Sequence, residues 1–348
     1  MIIIGAGMAG LLAAQYFRDL SPVILEQNDR QRLNHAAVLR FRTRKVEAIT
    51  NIPLKAVQLR RAIMMPDGML TSEQSILASN AYSRKVTGIY TNRSAMNLEP
   101  AERYVAPDDF MDQLHRHTSI QYGTNWDDKE WERHEAEQER MGPNMYPVIS
   151  TIPMRMMSDR LLKNVDGPKP DYWHRSITVA ETRFKAVDLH QTVYWPWHAD
   201  KINWANGDLG GFGEKPIDRL YRMSFTGNRL ILEFTGDYRI GQGEIDAIVN
   251  ELLVYWLGEV PEYDGNYGRS PESGHFRVNI QKYGKIVPME QIARRHLISQ
   301  ITDRWNIYQL GRFATWRQIL LDDVADDLVV IRNLIASGVY GRRHHYSK

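Results

Sequence analysis

Met1-Ile-Ile-Ile-Gly-Ala-Gly-Met-Ala-Gly10 opens the chain, and the order of residue types within it decides how the remainder is read. A β-branched run meets three glycines, Gly5, Gly7 and Gly10, spaced G-x-G-x-x-G, and Leu11 to Phe17 continue as helix formers. This is strand, tight turn, helix. Val23-Ile-Leu-Glu26 then reads as a second buried strand, reached by a crossover whose length suits a helix in a parallel βαβ unit. Glu26 sits at the carboxyl end of that strand, about 20 residues beyond the turn, where an acidic side chain accepts hydrogen bonds from ribose hydroxyls. The first glycine lets the strand turn, the second lets a pyrophosphate approach the backbone, and the third lets helix pack on strand. Phosphates then lie at the helix N-terminus, where unpaired N–H groups and the helix dipole favour negative charge. NAD and FAD both fit this fingerprint, and the NAD-dehydrogenase reading predicts a colourless protein.

Composition narrows the chemistry. The 348 residues carry 44 Lys plus Arg against 42 Asp plus Glu, a formal charge of +2, so bulk charge does not mark a polyanion binder. Apolar content of 43% is enough for a large core and argues against disorder. No apolar run approaches the roughly 20 residues of a membrane-crossing helix, and no secretory leader is recognisable, so a cytoplasmic protein is expected. The absence of cysteine excludes disulfides, thiolate metal sites and thiol nucleophiles. The histidines show no metal-ligand spacing, and no G-x-S-x-G elbow occurs, so no metal site is predicted.

Further along, residues 107–117 read as a helix and 119–122 as a strand. Residues 125–140, with Trp126 and Trp131 among many charges, read as a solvated hairpin or helix. Val148-Ile-Ser-Thr-Ile-Pro153 is an apolar strand stopped by proline. Alternating segments at 176–180, 192–195, 221–225 and 229–234 predict an antiparallel sheet with a hairpin at Gly227-Asn228, followed by a helix over 243–257. Ile307 to Leu310 is a short strand, and a helix starts near Asp322. Residues 27–61 show no clear period and read as turns and short pieces.

Several of these segments resemble a superfamily of FAD-dependent flavoproteins that includes UDP-galactopyranose mutase, protoporphyrinogen oxidase and the flavin-dependent amine oxidases. Val148 to Pro153 is similar to their mid-chain V-I-x-T-x-P strand, and Gly311-Arg-Phe-Ala-Thr-Trp316 to the closing G-R-x-x-T-[YW] of the mutase branch. Tyr283-Gly-Lys-Ile-Val-Pro288 resembles the segment preceding that closure, and Phe41-Arg-Thr43 after His35 a region beside the flavin, without its glycine and two of its histidines. The resemblance implies an α/β fold: a Rossmann-like FAD-binding domain from residues 1–50, 115–160 and 282–348, with an inserted α+β substrate domain of 51–114 and 161–281 containing the antiparallel sheet. It also implies FAD as cofactor, held by Gly5, Gly7, Gly10, Glu26, Thr151, Gly311, Arg312, Asp323 and Val324. Arg312 would pair with the pyrophosphate, and the helix N-terminus near Val324 would point at the flavin.

On the substrate side, Tyr194-Trp-Pro-Trp197, Tyr221-Arg-Met-Ser224 and Tyr82-Ser-Arg-Lys85 place aromatics beside cations, which suits a flat anionic ligand; Tyr82, Lys85, Tyr194 and Tyr221 are the candidates. Arg222, Lys285 and His35 are the catalytic candidates, with His198 a further possible acid or base. The expected reaction is hydride transfer from a small or nucleotide-linked substrate, an amine favoured, to flavin N5. Alternatives are a non-redox mutase or lyase and a flavoenzyme acting on a modified DNA base. The compact, cysteine-free chain also looks like bacteriophage flavoproteins, some of which serve DNA modification, which would place it in the host cytoplasm. The patch of Arg40, Arg42, Arg44, Lys45, Arg60 and Arg61 keeps nucleic-acid contact as a secondary expectation. Oligomeric state is not readable.

Overall fold

The computed structural model describes residues 1–30, 39–65, 69–90, 97–126, 128–142, 146–161, 171–197, 216–237, 239–264 and 275–338. In chain order these residues form β1 (Ile2–Ile4), α1 (Met8–Tyr16), β2 (Val23–Leu25), β3 (Arg40–Phe41), α2 (Lys45–Thr50), β4 (Lys55–Met64), β5 (Leu70–Thr71), α3 (Ile76–Thr87), β6 (Ala101–Val105), α4 (Phe110–Arg116), β7 (Ser119–Gln121) and α5 (Asp128–Met141). There follow β8 (Val148–Ser150), α6 (Met154–Leu161), β9 (His174–Arg183), β10 (Leu189–Tyr194), α7 (Pro216–Arg219), β11 (Leu220–Gly227), β12 (Arg229–Thr235), α8 (Gln242–Leu257), β13 (Arg277–Ile286), α9 (Gln291–Trp305), β14 (Ile307–Gln309) and α10 (Leu321–Ser337).

The short isoleucine run of β1 is apolar on both faces because it is covered on both. It pairs in parallel with β2 on one side and β8 on the other, in a five-stranded parallel sheet ordered β14-β8-β1-β2-β7. Ile3 and Ile149 face a core completed by Leu11 and Phe17 at one end of the first helical unit and by Leu328 and Ile331 of α10. Ile4, Val148 and Ile307 face the other way, onto Met157, Ile301 and the Trp126–Trp131 pair. The charged stretch 125–140 is therefore not simply solvated. It forms α5, and Trp126, Trp131 and His134 turn inward as an edge-to-face cluster, with Trp126 and Trp131 centroids 5.6 Å apart.

The second sheet has nine strands, ordered β13-β9-β12-β11-β10-β4-β6-β3 with β5 paired to β4. Its neighbours are antiparallel except β10 and β4. One face packs Met223, Phe225, Leu232 and Phe234 against Ile245, Val249 and Leu253 of α8. The opposite face meets α3 through Tyr82 and Val86, lying on Ile63, Ile177, Tyr221 and Ile231. The five parallel strands all come from 1–50, 115–160 and 282–348, while β3 at Arg40–Phe41 joins the larger sheet and β13 crosses residue 282. The ten-residue β4, in a stretch that showed no period, is the main element the sequence concealed.

Buried Asp322, only 2% exposed, ties the two regions together. It accepts hydrogen bonds from the backbone N–H of Arg42 (3.0 Å) and Thr43 (2.9 Å) and from the Thr43 hydroxyl (2.7 Å). Arg42 also pairs with Asp323, and Lys45 with Asp326 at 2.6 Å, so the segment after β3 is fastened along the first turns of α10. Removing the Asp322 carboxylate leaves three part-buried donors without their acceptor, at about 1–3 kcal/mol for each that water cannot reach. In urea titrations Asp322→Ala is expected to lower the unfolding free energy by that order, whereas Lys45→Ala, which breaks an exposed pair, should lower it by less than about 1 kcal/mol. Equal losses in the two variants would contradict this account of the junction.

Candidate functional site

The opening turn assigns each glycine its own task. Gly5 has φ +95°, and a Cβ there would stand 2.5 Å from Thr151 Oγ1. A Cβ on Gly10 would stand 2.0 Å from the Gly5 carbonyl oxygen, so only a bare α-carbon lets α1 lie against the turn. A Cβ on Gly7, the N-cap of α1, would meet nothing within 4 Å among the described residues. The two outer glycines are thus demanded by packing and the middle one opens onto free space at the helix N-terminus, the arrangement that admits a pyrophosphate. Glu26 lies beside this opening. One carboxylate oxygen accepts from the Ala6 N–H at 2.8 Å, and the other from the Asn28 N–H at 2.9 Å and from its side-chain amide. The oxygen facing Ala6 accepts only once there and keeps a further lone pair for a ribose hydroxyl.

Residues from the far end of the chain reach the same place. Gly311, at φ +93°, lies where a Cβ would come within 2.8 Å of Ala9 Cβ, so the turn after β14 rests on the start of α1. Leu310 N–H donates to the Ser150 carbonyl, and Thr151 donates through its hydroxyl to the carbonyls of Ile4 (2.8 Å) and Gly5 (3.2 Å). Thr151 therefore props the turn from beneath. Arg312 donates to the Gly284 carbonyl at 3.2 Å, and Trp316 Nε1 to the Val287 carbonyl at 3.0 Å, fixing the closing segment to the end of β13. Asp323 is occupied by Arg42 and by the Leu320 N–H at 2.8 Å. Val324 differs from the expected flavin contact: its side chain is buried in the core, and its N–H donates to Leu320 within the helix. The N-terminal turn of α10 faces the segment 41–43 through Asp322.

The substrate-side candidates also converge. Tyr194 stands opposite Arg222 in the β10–β11 ladder, and Arg222 stands opposite Glu233 in the β11–β12 ladder. Arg222 forms an ion pair with Glu233, whose other oxygen lies 3.5 Å from Lys285 Nζ. That ammonium lies 5.1 Å from the Tyr221 ring centroid, and the Tyr221 and Tyr82 rings are 6.1 Å apart, with Tyr82 and Tyr194 at 5.1 Å. Tyr82, Tyr194 and Tyr221 are 2%, 5% and 0% exposed, so they form the aromatic floor, while Arg222, with 34% of its side chain exposed, is the member open to a ligand.

Arg40 completes the group. It donates to the Thr192 hydroxyl at 2.9 Å, and Thr192 meets Ser224 at 3.1 Å. Burial, reinforced by repulsion from Arg222, pushes the Arg40 guanidinium down to about 10. Burial pushes Glu233 up, but the pull of Arg222 and Lys285 overcomes it and holds the carboxyl at about 2. Three cations thus surround one permanently ionised carboxylate, leaving a local positive excess. Arg40 was visible in the sequence only as part of a basic run. That run is not one free surface, because Arg42, Arg44 and Lys45 are paired with carboxylates and Arg61 donates to the Asn97 carbonyl. Glu233 was missed, although a lone acid between Leu232 and Phe234, set by the Gly227-Asn228 hairpin opposite Arg222, was the available signal. His35 and His198 lie outside the described residues.

Lys85 belongs to a neighbouring spot. Its Nζ donates to the Trp197 carbonyl at 2.7 Å, 2% of the residue is exposed, and burial, partly offset by Asp218, lowers it to about 7.

No family model and no curated protein matches this sequence. Among solved structures, a Pyrococcus furiosus protein, PF1083, is similar over 96% of this chain and 97% of its own, at 11% identity and a TM-score of 0.50. That likeness bears on the fold. A p-nitrophenol 4-monooxygenase from Pseudomonas putida (12% identity, TM-score 0.45, 97% of this chain and 78% of that one) and a geranylgeranyl bacteriochlorophyll reductase-like protein from Thermoplasma acidophilum (12%, 0.43, 97% and 79%) are also similar. Among the described residues no helix is long and apolar enough to cross a membrane.

The lowered Lys85 makes a pH prediction. Between about 7 and its unfolded value near 10.5, the unfolded chain holds a proton that the folded one lacks, so stability rises with pH across that window. Lys85→Met removes this rise, by up to about 1.4 kcal/mol per pH unit, and raises stability at pH 7. Denaturant titrations from pH 6 to 10 check this; parallel curves for wild type and variant would refute a buried, proton-poor lysine.

Proposed function

We propose that the opening turn holds FAD and that the chain is an FAD-dependent oxidoreductase acting on a small or nucleotide-linked anionic substrate. The observation that carries the cofactor reading is the contrast among the glycines: Gly5 and Gly10 are closed by packing, and Gly7 is open. The sequence resemblance at Val148–Pro153 and Gly311–Trp316 favours FAD over NAD, and both segments adjoin the turn. In this reading Gly7 and the α1 N-terminus take the pyrophosphate, and Glu26 takes a ribose and disfavours a 2′-phosphate. When bound, FAD supplies a hydride acceptor at N5.

The residues of the larger sheet then do the positioning. Arg222, with Arg40 and Lys285 beside it, grips an anionic group of the substrate, and Glu233 keeps the cations from repelling one another apart. The tyrosine floor of Tyr82, Tyr194 and Tyr221 holds these groups rigid and excludes water from beneath them. The positive excess is unfavourable to a bare protonated amine, so an amine substrate here carries a carboxylate or phosphate as well. The same cations suit the diphosphate of a nucleotide sugar, which keeps the non-redox mutase as second reading.

The purified protein is expected to be yellow and to release FAD on heating. Gly7→Val adds a side chain only to open space, so the apo-protein should melt as wild type does while FAD binds about 100-fold more weakly, or about 2.8 kcal/mol. A colourless protein whose melting temperature ignores added FAD would falsify the assignment. For the substrate, anaerobic mixing with amino acids, nucleotide sugars and modified nucleotides separates the readings: bleaching marks oxidation, and turnover only after prior reduction marks the mutase. Arg222→Met should cost 10-fold or more in kcat/KM, about 1.4 kcal/mol.

A further inference from the structure

The substrate-side cluster occupies one face of the larger sheet, and strand register extends that face to arginines the cluster does not use. Tyr194 stands opposite both Arg222 and Ile63, and Thr192 opposite both Ser224 and Arg61. Side chains alternate along a strand, so Arg61 projects from the face of Tyr194 and Arg222. Steps of two residues from Ile63 lead to Val57 and Lys55, which stand opposite Arg103 and Val105 of β6, and Val105 stands opposite Arg40. Arg40, Arg61, Arg103 and Arg222 therefore all face the same way. Arg40 shows that this face is concave. Its strand, β3, lies three places from β10, about 14 Å away in a flat sheet. The Arg40 guanidinium nevertheless meets the Thr192 hydroxyl at 2.9 Å, so the sheet curls and Arg40 crosses its inside.

Charge is treated differently at the two ends of this curl. Arg183, Arg222 and Arg229, on β9, β11 and β12, are ion-paired with Asp108, Glu233 and Glu181. Among the described residues Arg40, Arg61 and Arg103, on β3, β4 and β6, pair with no carboxylate. They donate instead to the Thr192 hydroxyl and to the carbonyls of Asn97 (2.8 Å) and Glu102 (2.7 Å). All three are half-buried. A guanidinium drawn out of water without an anion is costly, and each like charge nearby adds to the cost. Burial lowers the Arg103 guanidinium, and repulsion from Arg61 and Arg42 lowers it further; Asp322, already bonded to residues 42 and 43, offsets this only in part. Arg40 is repelled by both Arg222 and Arg103, which joins the two groups of cations into one trough.

We infer that Arg61 and Arg103, adjoining Arg40, form a second anion subsite in this trough, and that the substrate is a dianion with a carboxylate or phosphate at each end. Arg222 and Lys285 take one end, and Arg103 and Arg61 the other, each guanidinium offering paired N–H donors to two oxygens. Arg222 lies level with Ile63 and Arg103 with Val57, six residues apart on β4, so the two anionic groups are held apart rather than adjoined. The assignment rests on the larger sheet being the substrate face.

The test is calorimetric titration of the full chain, with FAD added, against succinate, glutarate, adipate, suberate and 4-phosphonobutyrate, each beside the monocarboxylate of the same length. At least one doubly charged probe should bind about 10-fold more tightly than its singly charged counterpart. Arg103→Gln should cancel that advantage, and Arg61→Gln, which gives up one exposed bond to a backbone carbonyl, should reduce it. Arg222→Met should weaken both members of each pair. Singly charged probes bound through Arg222, with no gain from a second charge, would overturn the second subsite while leaving the substrate face in place. No carboxylate binding at all, or binding indifferent to Arg222→Met, would remove both. A gain unmoved by either glutamine variant, or FAD affinity falling in step with it in Arg103→Gln, would also overturn the assignment, the latter by giving these cations to the cofactor.

Discussion

The approach of Gly10 to the carbonyl of Gly5 is the contact on which the rest of the molecule is hung. With no Cβ between them, α1 leaves β1 at an angle that buries Leu11, Ala13 and Phe17 against the parallel sheet. The same contact points the N-terminus of α1 away from the core. A methyl at Gly10 would push helix from strand, and the opening at Gly7 and the seat of Ala9 under Gly311 would move with it. Core packing and ligand geometry are here consequences of one backbone contact.

From that turn the candidate site is extended by two fasteners. Asp322 locks the residues after β3 to α10, and the closing segment 311–316 is tied to the end of β13 through Gly284 and Val287. Lys285 sits between those two carbonyls and therefore inherits its position from the closure. The cations of the larger sheet and the opening turn of the smaller one are thus held by side chains bonded to fixed backbone groups, which is stiffer than pairing between side chains alone.

The sequence was most legible where local rules act alone. Strand, glycine turn and Glu26 could be placed because each glycine answers to a short-range steric demand, and the hairpin at Gly227-Asn228 because its turn chemistry is local. The tyrosines and cations of the substrate side could be named but not sorted: whether Tyr221 meets ligand or core depends on α3, whose serine- and lysine-containing sequence gave little amphipathic signal. β4 was hidden because Arg60 and Arg61 break its alternation, although that strand joins the antiparallel half of its sheet to β6 and β3.

The strand order β14-β8-β1-β2-β7 has a consequence for biosynthesis. β1 emerges from the ribosome before its partners and finds β2 about twenty residues later, yet its other neighbour begins at Val148, and that strand's outer edge stays unpaired until Ile307 appears. Such widely separated pairings are slow to close and leave bare strand edges in the interim. The parallel sheet is complete only once β14 has been made, so chains cut short before Ile307 should appear as aggregates rather than as shortened folded proteins.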